Sequence, residues 1–207
     1  MTRARRSLFA RLALLVCGGL TLPAPRADAK QVAPFRTALA VHWGQGAGSD
    51  AFRDDLSRTL AANLAGRCFA GVTFVDRDPS PADAELVFSV ILSGVVDETR
   101  FDDSIATTLQ PGEPAKELRH FSHFEVTVDA TLSTRATGAP VGRKHLIASA
   151  SHRPLYPGDD AQATARLEVI DNIVRDLGRA LGCGGAKLER KIRDALGAAG
   201  EASPAPR

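Results

Sequence analysis

The stretch HFEVTVDATLSTRATGAPVGRKHLIASASH, His123 to His152, decides the fold. Phe124, Val126, Val128, Ala130 and Leu132 alternate with Glu125, Thr127, Asp129, Thr131 and Ser133. A period of two puts the apolar set on one face of a strand and the polar set on the other, so one face is buried and one is wet. Thr137-Gly138-Ala139-Pro140 turns the chain, and Val141 to Ser151 returns with Leu146, Ala148 and Ala150 on one face. The reading is a hairpin laid on a core.

Upstream, Thr37 to Trp43 reads as an apolar-rich strand and Gly44 to Gly48 as a loop. Ser49 or Asp50 is the expected N-cap of a helix, because a short side-chain oxygen can accept a first-turn N–H. In that helix Phe52, Leu56, Leu60 and Leu64 recur every four residues along one face, and Gly66 ends it. Gly71 to Arg77 is a second strand, and Pro79 to Glu85 a turn or short helical piece. Leu86 to Val96 is apolar on both faces, as in a central strand. Thr99 to Arg119, with two prolines and seven charges, reads as a flexible excursion. Past Gly158 and Asp159 a long helix is predicted, with Leu167, Ile170, Ile173, Val174, Leu177 and Leu181 as its apolar stripe and an outward Asp171–Arg175 pair.

The predicted fold class is α/β (α+β): a mixed, mainly antiparallel sheet with two main helices packed on one face. The expected organisation is a signal peptide over residues 1–29, one α/β domain over 37–183, and a short amphipathic helix with a disordered tail over 184–207.

The amino terminus bears on compartment. Arg3, Arg5 and Arg6 precede the apolar run Leu12 to Leu22, which is too short to span a bilayer comfortably. Ala27-Asp28-Ala29 then suits signal peptidase, so cleavage is expected after Ala29. An amphipathic amino-terminal helix is the competing reading, but the arginines gather at one end and not on one face. Lipidation at Cys17 fits less well, because Val16 is bulky where a lipoprotein signal needs a small residue. Of 26 basic and 24 acidic residues, five arginines and one aspartate lie in the first 29. The remainder has 21 and 23, a net charge of −2, which removes any case for nucleic-acid binding. No second apolar run of spanning length follows.

Cys68 and Cys183 remain, an even pair in a chain expected to be exported, each just past the end of a predicted helix. A disulfide closing a loop of 115 residues is favoured over two buried thiols.

The stretches FRDDLSRTLAANL (52–64), FVDR (74–77), ADAELVFSVILSG (82–94) and VTVDATLSTRATGAPV (126–141) follow one another in a characteristic order. In this the chain resembles the periplasmic α/β domains related to the amino-terminal domain of TolB, the curli-secretion lipoprotein and the outer-membrane activators of peptidoglycan synthases. The likeness covers about Thr37 to Gly182, and its motifs are structural. The chain departs from the group in lacking a good lipobox, in its long 99–119 excursion, and in showing nothing like the membrane-spanning hairpins of the curli channel. The resemblance implies envelope assembly or scaffolding through protein contacts, and it brings no catalytic residues.

The remaining chemistry is sparse. WGQGAGSD, Trp43 to Asp50, could cradle an anion on glycine N–H groups. It lacks the P-loop lysine, and Ser49 stands where the dinucleotide motif needs its third glycine. A small-ligand or anion-binding protein, or an enzyme, using the Gly44–Gly48 loop is the rival reading. His120 and His123 are three apart and face opposite sides of a strand, while His42, His145 and His152 lie elsewhere, so no metal site is expected. The acidic group Asp97 to Asp103 reads as a solvated loop, and no G-x-S-x-G elbow is present. The expectation is a non-catalytic exported protein with no cofactor and an envelope protein as partner. Its contact surface is predicted on Glu125, Thr127, Asp129 and Thr131 with the neighbouring 99–119 segment.

Overall fold

A computed structural model of the chain describes residues 33–44, 48–75, 83–101, 120–156 and 158–201, without the side chains of 199–201. The predicted signal peptide, Cys17 and most of the 99–119 excursion lie outside these residues. In order the elements are β1 (Ala33–Trp43), α1 (Asp50–Leu64), β2 (Phe69–Phe74), β3 (Leu86–Phe101), β4 (His120–Thr134), β5 (Pro140–His152), α2 (Ala161–Leu181) and α3 (Ala186–Glu201).

The five strands form one sheet in the order β2-β1-β3-β4-β5. β1 pairs in parallel with β2 on one side and β3 on the other. β3, β4 and β5 run antiparallel and carry most of the paired length. A parallel neighbour needs a crossover, and α1 supplies it between β1 and β2. The mixed α/β architecture expected from the hydrophobic periods is the one observed.

Why these residues form these layers follows from the alternation. Phe124, Val126, Val128, Ala130 and Leu132 are all buried, opposite Leu86, Phe88, Val90 and Leu92 of the core-facing side of β3. Phe52, Leu56, Leu60 and Leu64 of α1 and Ile170, Ile173, Val174 and Leu177 of α2 close over them in a single cluster. Leu188 and Ile192 of α3 join the same cluster. Thus a third helix completes a layer for which two main helices were expected. Helix α3 is also longer than the Ala186–Leu196 piece predicted for it.

Several boundaries and partners differ from the sequence reading. β1 starts at Ala33, not Thr37, because Ala33 N donates to Cys68 O at 3.2 Å and extends the ladder. β2 covers 69–74 instead of 71–77. β3 continues through Thr99 to Phe101, paired to β4 as far as His120, so the start of the supposed excursion is strand. Leu167 is 57% exposed and leaves the apolar stripe of α2, where Ala165 and Val169 take its place. Arg175 does not pair with Asp171, turning to Asn172 and Asp176. Ser49 is the N-cap of α1 but makes no side-chain cap bond, whereas Asp160 caps α2 by accepting from Ala163 N at 2.9 Å.

A disulfide joins Cys68 to Cys183, with Cα atoms 4.5 Å apart, inside the range such bridges need. It ties the entry to β2 to the chain just past α2, where Gly182 in the left-handed region (φ 72°) turns it away.

Candidate functional site

Among the described residues the helix layer covers one face of the sheet and no helix covers the other, which is barest over β3 to β5, since Ala38 and Ala40 of β1 are buried. On the bare face the register sets side chains in lateral rows, about 4.8 Å from strand to strand. One row is His42, Ile91, Asp129 and His145. The next rows are Ala40, Ser89, Thr131 and Arg143, and then Ser93, Thr127 and Ile147. The four predicted contact residues, Glu125, Thr127, Asp129 and Thr131, all lie here, in one file down β4. Asp129 is exposed, while Glu125, Thr127 and Thr131 are half-buried between the flanking strands.

The sequence did not show what surrounds them. Ile91 (42% exposed) and Ile147 (61% exposed) interrupt the polar rows from β3 and β5. His145 places Nδ1 2.7 Å from Asp129 Oδ1, so the most exposed carboxylate of the file has a partner. The alternation of β4 was legible, but which residues of β3 and β5 stand beside it depends on register. That register includes a bulge. Between Ser93 and Val96 β3 holds one residue more than β4, and Gly94 sits there at φ 58°. A Cβ on Gly94 would lie 3.1 Å from Thr127 Oγ1, so the bulge closes down on Thr127.

The bulge also swaps the faces of β3. Beyond it Asp97 turns toward the helices, where its carboxylate accepts from Gln162 Nε2 at 2.7 Å and from Arg166 Nε at 3.2 Å. The Arg166 guanidinium in turn lies over the Phe124 ring, 5.8 Å from its centre. Asp97 is therefore a link between sheet and helix, and no part of an acidic loop.

Among the described residues the other polar groupings are looser. Ser151 Oγ is 2.8 Å from His123 Nδ1, but Glu125 Oε2 is 3.9 Å from the other ring nitrogen, too far to fix the ring by a hydrogen bond. His120 stands edge-on to Phe101, and His152 lies 3.8 Å from both Asp159 and Glu168. Among the described residues no group of three His, Cys, Asp or Glu side chains could hold a metal ion.

Both described ends of the Gly44–Gly48 loop have structural duties. Gly44 N donates to Leu92 O at 2.7 Å, prolonging the β1–β3 ladder. A Cβ on Gly48 would stand 2.1 Å from Trp43 Cζ2, so glycine is there because the indole lies against it. Residues 45–47 are outside the described set.

The face just described, mixed in polarity on a sheet backed by three helices, defines the class: an α/β domain with one sheet face that no helix covers among the described residues. No known sequence family matches the chain, and no curated protein does. Solved structures are similar in outline. A minor lipoprotein from Acinetobacter baumannii is 14% identical over 69% of this chain and 89% of its own, with a TM-score of 0.37. A Xanthomonas campestris protein described under the family DUF330 is 12% identical over 74% of this chain and 86% of its own, with a TM-score of 0.45. A Neisseria meningitidis lipoprotein is 10% identical over 70% and 99%, with a TM-score of 0.37. Among the described residues no helix is long and apolar enough to cross a membrane.

Proposed function

We propose that this is an exported, non-catalytic protein of the bacterial envelope that acts as an assembly or scaffolding factor through the bare face of its sheet. The observation that carries the reading is that face itself, with exposed Ile91 and Ile147 among rows of Thr, Asp and His at fixed spacing. Isolated apolar residues are ordinary on a surface, but two of them framed by hydrogen-bonding groups on a rigid sheet form a ready contact patch. The resemblance of the sequence motifs, in their order along the chain, to the TolB-related periplasmic domains supports the envelope setting, as does the arginine-led, Ala-Asp-Ala-ended amino terminus.

The test is site-specific crosslinking in the native host. A photoreactive residue at Thr131, on the bare face, is expected to capture a discrete protein, and one at Lys187, on α3, is not. A further Asp129→Lys change in the same chain should abolish the capture while melting within a few degrees of the parent, since exposed changes cost under about 0.5 kcal/mol. Retention of every partner by a normally folded variant would remove this surface from consideration.

A further inference from the structure

We infer a second site, on the opposite side of the molecule: a cleft that takes a small amphiphilic anion, an apolar group of about the size of one ring or a short alkyl chain carrying a carboxylate or phosphate. The cleft lies between the edge strand β5 and the last turns of α2, with α3 alongside, and has a volume of about 160 Å³. An apolar protein cavity of about 150 Å³ accommodates benzene. The floor is apolar, made by Phe88, Leu177 and Leu181.

Two features make it a site and not a packing fault. Gly142 lines it, opposite Leu132 and next to an irregularity in the β4–β5 register, and a Cβ built there meets nothing within 4 Å. The space over Gly142 is therefore open, at a strand position where a side chain would ordinarily fill it. The rim is the second feature. Lys144 and Lys191 line the cleft, no carboxylate does, and neither has an ion-pair partner among the described residues, while Arg143 meets the rim from a strand position that faces the bare side. Lys144 stands opposite Ala130, on the core-facing side of the strand, so it rises at the edge of the cleft with its end in solvent. Two cations beside an apolar hollow repel each other, and an anion seated between them relieves that repulsion. A lysine on an edge strand can also serve to block strand-to-strand aggregation. That duty would not call for an open space over Gly142 or a second lysine across the gap on α3.

The site is independent of the sheet-face contact, so each can fail without the other. The experiment follows backbone amide shifts of Lys144 and Leu181 by NMR as the purified protein is titrated with hexanoate, hexyl phosphate, hexanol and inorganic phosphate. Saturable binding of hexanoate or hexyl phosphate is expected, with hexanol and inorganic phosphate at least tenfold weaker. A preference between the first two tells a free fatty carboxylate from a lipid-type phosphate. Gly142→Leu, which fills the hollow, should weaken binding at least tenfold with an unchanged circular dichroism spectrum, and Lys144→Gln/Lys191→Gln should do the same from the rim. The inference is overturned if neither anion saturates, if hexanol binds as well as hexanoate, or if binding survives in both variants.

Discussion

Trp43 and Gly48 meet where β1 gives way to α1, and at the residue scale they are tightly matched. Any side chain at 48 overlaps the indole, so Gly48→Ala must displace the ring from the core it packs against. The expected cost is about 1–3 kcal/mol, the usual penalty for overpacking. Trp43 is the chain's single tryptophan, so a shift in its emission should accompany the loss. Asp129 presents the opposite case. Its bond to His145 is exposed to solvent on both sides, and such pairs contribute about 0–1 kcal/mol. Asp129→Asn should leave the melting temperature almost unchanged. Thr127, although in the same file, is pinned beneath Gly94, so substitutions there are expected to report on the bulge as well as on binding.

Among the elements, the bulge in β3 has the widest effect. It carries Asp97 across the sheet to Arg166 and Gln162, fastening the far end of β3 to α2. Asp97→Ala removes the carboxylate and leaves a half-buried guanidinium without its partner, for an expected loss of about 1–2 kcal/mol in urea denaturation. This link was not legible in the sequence. Strict alternation assigns Asp97 to a face by counting, and one extra residue reverses every assignment after it. Gly94 inside an apolar run was the available signal. The hairpin, the four-residue spacing of α1 and the central position of β3 were legible because each rests on a periodicity that burial enforces. Leu167 was misassigned because helical spacing alone puts it beside Ile170, whereas it opens onto a cleft beside Ala51, Phe52 and Asp55 of α1. The rim of the cleft was likewise hidden, since Lys144 and Lys191 are brought together only when α3 lies against β5.

For the whole molecule, the amino terminus and the bridge set the expectations. Mass spectrometry of protein from the native host should give a chain beginning at Lys30, and an intact Met1 or a lipid-bearing Cys17 would contradict that. Cys68 and Cys183 close a loop of 115 residues, which on the chain-entropy account restricts the unfolded state by about 4–5 kcal/mol. Cys68→Ala/Cys183→Ala should lower the urea midpoint accordingly, and a loss under about 1 kcal/mol would mean that the folded state holds these ends together unaided. Between the two cysteines lie β2 to β5 and α2, so nearly the whole sheet belongs to one covalent ring. The β4–β5 turn at residues 135–139 is part of that ring, with Thr137 and Gly138 exposed. A protease that cuts there opens the ring and leaves two fragments joined by the disulfide. The nicked protein should migrate as one species until a reductant releases two fragments, so after a cut at this turn the two parts stay covalently joined only for as long as the surroundings remain oxidising.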